Sequence, residues 1–101
     1  MSKKASPLDA NSKVSRALRE IRRARGITQE EFGEVSSRVH VSRIERGLKQ
    51  PTLPKVDSFA GVLGVHPLTL MALSYVDLMD EDGLDRLLMH VAAECEELRK
   101  P

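Results

Sequence analysis

Apolar residues in this chain recur three and four positions apart, in blocks cut by Gly26, Gly47 and Gly64. A period near 3.6 lays such residues along one side of an α-helix, whereas a half-buried strand needs strict alternation. Val14, Ala17, Leu18, Ile21 and Ala24 form the first stripe, with Asn11 and Ser12 as candidate caps and Gly26 as the stop. Thr28-Gln29-Glu30-Glu31 has the capping-box form and predicts a short second helix from Gln29 to about Val35, inward at Phe32 and Val35. Ser36 or Ser37 then caps a third helix through Arg46, inward at Val41 and Ile44. Thr52 caps a fourth, with Pro54 in its first turn and Val56, Phe59, Ala60 and Leu63 on one face. His66-Pro67 starts a fifth, which carries Leu68, Leu70, Met71 and Leu73 to about Val76. Beyond a polar break at Asp80-Glu81-Asp82-Gly83, the residues Leu84, Leu87, Leu88, Val91, Cys95 and Leu98 stripe a sixth.

Composition narrows the classes of function. At 101 residues and 41% hydrophobic content the chain can bury a single core. Its few aromatics, Phe32, Phe59 and Tyr75, argue against an all-β sandwich and for a core of Leu, Val and Ile on helices. No run approaches the roughly 18 apolar residues of a membrane span, and the basic start leads into no apolar signal region, so a cytoplasmic protein is expected. Cys95 has no second cysteine to pair with, and His40, His66 and His90 show no metal-ligand spacing with it. The Asp80–Asp82 run with Asp85 lacks the alternating ligands, central Gly and terminal Glu of a calcium loop. No segment joins a nucleophile, a base and an oxyanion stabiliser. The expectation is no enzyme, no metal, no cofactor and no small-molecule ligand.

Charge is unevenly distributed. Residues 1–55 carry 13 Lys+Arg against 6 Asp+Glu, a net of +7, while residues 56–101 carry 3 against 9, a net of −6. A basic half suggests a polyanion partner, and the acidic half a solvated or partner-facing surface.

The polar residues are as informative as the apolar ones. The run Leu18-Arg19-Glu20-Ile21-Arg22, Gly26-Ile27-Thr28-Gln29-Glu30-Glu31-Phe32, Val41-Ser42-Arg43-Ile44-Glu45-Arg46-Gly47, Pro51-Thr52 and Leu63-Gly64-Val65 resembles the Cro and phage-repressor (XRE) family of bacterial helix-turn-helix regulators. The resemblance spans about residues 14–73. It implies an all-α fold: a five-helix repressor-like helix-turn-helix domain, here with an additional C-terminal helix, in which the third helix enters the major groove. The family pattern has two more residues between Phe32 and Val41, with a Gly in the turn and an Ala where Gly33 stands. Here a Val35-Ser36-Ser37 junction replaces that turn, so positions are counted backward from Glu45.

Residue by residue, the resemblance places Arg38, Val39, His40 and Arg43 toward bases or the adjoining backbone. Arg can donate two bonds to guanine, and Val can pack on a thymine methyl. Gln29, at the amino end of the second helix, is placed on the phosphate backbone, with a local cap as its competing role. Ser37, Ser42 and Lys49 are further phosphate candidates. Arg22 and Glu45 match a structural pair joining the first helix to the end of the recognition helix. The expected organisation is a flexible basic arm over 1–11, the DNA-binding domain over 12–79, and an acidic linker with a C-terminal amphipathic helix over 80–101. Double-stranded DNA and a second copy in a homodimer are the expected partners. Three alternatives stand beside this: an antitoxin-like module of the same family whose main partner is a toxin, a purely structural helical adaptor, and a C-terminal stripe that folds back onto the first and fifth helices of its own chain.

Overall fold

A computed structural model of the chain describes residues 7–101, with side chains from Lys13 onward. Among the described residues every regular element is helical: α1 (Pro7–Ala24), a single 3-10 turn (Gln29–Phe32), α2 (Arg38–Glu45), α3 (Leu53–Leu63), α4 (Pro67–Leu73) and α5 (Glu81–Arg99). The first five segments follow the order of the five helices expected from the sequence, and α5 is the additional C-terminal helix. No single described helix is long and apolar enough to cross a membrane.

The stripes read from the sequence converge on one core. Ala17, Leu18, Phe32, Val41, Ile44, Phe59, Leu63 and Leu70 are almost wholly removed from solvent, each bringing its element's apolar side inward. Phe32 and Phe59 meet edge to face at 5.3 Å, the arrangement their ring quadrupoles favour, and so tie the 3-10 turn to α3. Caps delimit the helices locally. Ser37 Oγ accepts from His40 N–H at 3.1 Å, and Thr52 Oγ1 from Lys55 N–H at 3.3 Å. Gly64 ends α3 in the left-handed region at φ 70°, where a side chain would be strained.

The element boundaries differ from expectation at four places. Helix α1 starts at Pro7, so residues 7–11, assigned above to the arm, have helical backbone; residues 1–6 lie outside the described part. The second helix shrinks to the 3-10 turn, followed by turns through Ser36, with backbone N–H groups of Val35 and Ser36 both bonded to Phe32 O at 2.8 Å. The short span between Phe32 and Val41 is thus accommodated at the expense of that helix. The inward faces of Phe32 and Val41 could not give way, because both lie in the core. Helix α4 ends at Leu73 rather than near Val76. Finally, the polar break is the start of α5. Asp80 Oδ1 accepts from Gly83 N–H at 2.9 Å, and Glu81 and Asp82 occupy the first turn, where the helix dipole favours acids. A Cβ at Gly83 would crowd the Asp80 carboxylate and the Val76 side chain, so a larger residue there would have to displace the cap.

Candidate nucleic-acid interface

Two things position α2: an apolar underside and a polar clamp at its carboxyl end. Val41 and Ile44 seat the helix in the core. At the last turn, where carbonyls lack helical partners, α1 supplies donors. Ser15 Oγ donates to Ile44 O at 2.6 Å and Arg19 Nη1 to Glu45 O at 2.9 Å. Arg22 adds a bidentate pair to the Glu45 carboxylate, Nε to Oε2 at 2.6 Å and Nη2 to Oε1 at 2.9 Å, and its Nη1 reaches Ile27 O at 3.0 Å. The bond to Glu45 holds the Arg22 guanidinium above its ordinary pKa, against the opposing pull of burial. Glu45 is 3% exposed, so this charge is neutralised by fixed geometry rather than by water.

With the underside and the end fixed, the opposite face of α2 points out of the molecule. Val39 is 61% exposed, an apolar side chain offered to solvent in the middle of a polar face. Arg38, Val39, Ser42 and Arg46 line one shallow groove on this face, and Arg43 stands exposed beside it. A helix of this size, about 1.5 Å per residue in length, fits a major groove about 12 Å wide. Arg38 Nε pairs with Glu30 Oε1 at 3.0 Å, a solvent-exposed contact between α2 and the 3-10 turn.

On the other flank His40 is partly buried. Burial, followed by the positive charges of Lys55, Lys49 and Arg43, pushes its pKa below the ordinary 6.5. Burial and the neighbouring cations thus both disfavour the protonated imidazole. Lys55 Nζ also donates to Val35 O, closing the junction between the 3-10 turn and α2.

The structure therefore gathers Arg38, Val39, Ser42 and Arg43 on the outer side of α2, with His40 and Lys49 at its edge. Gln29 is placed differently. Its Nε2 donates to Glu45 Oε1 at 3.1 Å, so one donor serves the internal clamp, while an amide retains a second N–H and a carbonyl. Ser37 has its hydroxyl oxygen engaged as the N-cap of α2. Sequence reading passed over Arg46 and Lys55. Arg46 is four residues after Ser42 and seven after Val39, a spacing that marks the same face; Lys55 carried no such signal, being on α3.

Comparison with known proteins adds one finding. The family model for helix-turn-helix domains matches residues 18–70, more than half of the 101-residue chain, and the matched region runs from α1 into α4. No curated protein matches the chain.

Proposed function

Because the chain belongs to the Cro and phage-repressor (XRE) type of helix-turn-helix DNA-binding regulators, we propose that it is a sequence-specific transcriptional regulator. In this reading it works in the cytoplasm as a symmetric dimer on a near-palindromic operator. The outward face of α2 carries the reading: it combines groups that suit base edges, Arg43 and Val39, with cations that suit phosphates. Arg43 serves as the base reader, Val39 packs on a thymine methyl, and Arg38, His40, Ser42 and Lys49 border the backbone. Gln29 bonds Glu45 at the carboxyl end of α2, Ser37 caps its amino end, and both lend their remaining hydrogen-bonding capacity to the nearest phosphates. One such domain covers few base pairs, so two related by a two-fold axis would read half-sites about 34–36 Å apart or a multiple of that.

The test is selection of binding sites from random duplex DNA by the purified protein. An enriched motif with two-fold symmetry is the expected result. A pool that gains no motif at low salt would overturn the reading.

A further inference from the structure

The apolar side of α5 is covered by its own chain only in part, at Leu84 and Leu87. No residue of the helix is buried; Leu88 and Val91 are 47% and 45% exposed, and Leu98 is 83% exposed. The helix leans on α4, and an apolar cleft opens between them, lined by Leu68 and Ala72 from α4, by Tyr75 just beyond its end, and by Leu87, Leu88 and Val91 from α5. Contiguous apolar surface of this kind marks a docking face.

Spacing and charge identify the occupant. Leu84, Leu88, Val91, Cys95 and Leu98 follow one another at intervals of four, three, four and three, the alternating d and a positions of a heptad. In that register Leu87 and Glu94 take g positions, and Asp85, Ala92 and Arg99 take e positions. Two such helices lying parallel and in register set each g residue beside the e residue five places later on the other copy. Leu87 then meets Ala92, and Glu94 meets Arg99, its opposite charge. An antiparallel pair sets g against g, so Glu94 would meet another Glu94 or the apolar Leu87 and would stay unneutralised. Within one chain Glu94 contacts His90 at 3.4 Å and Arg99 contacts Glu96 at 3.1 Å. Both are exposed pairs that exchange at little cost.

We propose that a second copy of this chain covers the face, with the two α5 helices parallel and in register. Leu88, Val91, Cys95 and Leu98 meet their counterparts across the two-fold axis, and Glu94 of each copy pairs with Arg99 of the other; this rests on the symmetric-dimer reading. So short a zipper is marginal alone. The opposite wall of the cleft supplies the additional apolar surface through Leu68 of α4 and Tyr75 just after it, themselves 59% and 66% exposed.

The test uses the full chain and sedimentation equilibrium. Glu94→Lys and Arg99→Glu should each weaken dimerisation about ten-fold by setting like charges together, and the double exchange should restore most of it. Copper–phenanthroline oxidation should form a covalent dimer through Cys95, since facing a positions fall within disulfide reach, about 7 Å between Cα atoms. Met89→Cys in a Cys95→Ser background, on the outer side of the helix, should not cross-link. A dimeric wild type whose double exchange is no better than the single ones, and which cross-links equally at both positions, would leave the dimer standing and overturn the parallel register. A wild type that is monomeric at every concentration would overturn both.

Discussion

Arg38 and Arg43 bring the same side chain to one face in different surroundings. Arg43 is exposed, whereas Arg38 is held by Glu30 at 3.0 Å. An exposed pair contributes about 0–1 kcal/mol, so Arg38 can exchange Glu30 for a phosphate, but the carboxylate stays behind as a repulsive charge. Glu30→Gln should therefore tighten DNA binding in titrations at fixed salt. A weaker Glu30→Gln complex would mean that the pair instead orients Arg38. Arg43→Ala should cost about 1–3 kcal/mol on the selected site, with helicity unchanged, if the side chain reads guanine with two bonds. His40 gives a pH dependence of defined sign. Its folded pKa lies below 6.5, so the folded state resists protonation more than the unfolded one. Its contribution to stability is complete above the unfolded value and is lost as pH falls through the folded pKa. Urea midpoints at about pH 7.5 and about pH 5.5 should show a smaller acid-induced loss for His40→Gln than for the wild type.

At the scale of elements, α2 is held by its ends as much as by its underside. Ser37→Ala removes the N-cap and should lower stability by about 1 kcal/mol, while Ser37→Gly should cost only a few tenths. The same two variants separate capping from phosphate contact, since both lack the hydroxyl and a lost contact would weaken DNA binding equally. The carboxyl end depends on Glu45, which is buried and bonded to Arg22 and Gln29. Glu45→Ala strands the Arg22 guanidinium in a partly buried site and should destabilise by about 3–5 kcal/mol, measurable by chemical denaturation. A loss within experimental error would show that Arg22 swings into solvent at no cost.

For the whole molecule the governing quantity is the separation of charge along the chain, +7 over residues 1–55 against −6 over residues 56–101. Folding turns part of the basic share into a patch around α2, where Arg43, Lys49 and Lys55 all bear on His40. Binding should accordingly weaken with salt, with a slope of about −0.9 in log K against log salt for each phosphate neutralised. On a single half-site Lys49→Ala should reduce that slope by about 0.9, and on the full symmetric site by about twice as much. Equal reductions on both sites would argue that one copy alone makes the contact.

Local chemistry made most of this molecule legible from residues alone. Helical periodicity, a serine cap at 36 or 37 that the structure resolves to Ser37, the Thr52 cap and the Gly64 stop depend on groups a few positions apart, so the order of helices and the buried stripe could be read without a structure. The exposed face of α2 followed from Val41 and Ile44 once these were known to point inward. Two of the three departures required the tertiary structure, while the start of α5 is local but reads as a linker. The second helix lost its later turns because Phe32 and Val41 are both anchored in the core, leaving the residues between them to make a shorter connection. Asp80–Gly83 became a cap and first turn because an acidic run, read as solvated, also satisfies the free amides of a helix start. Gln29 turned toward Glu45 because a buried carboxylate recruits every donor within reach, and which donors are within reach is decided by packing.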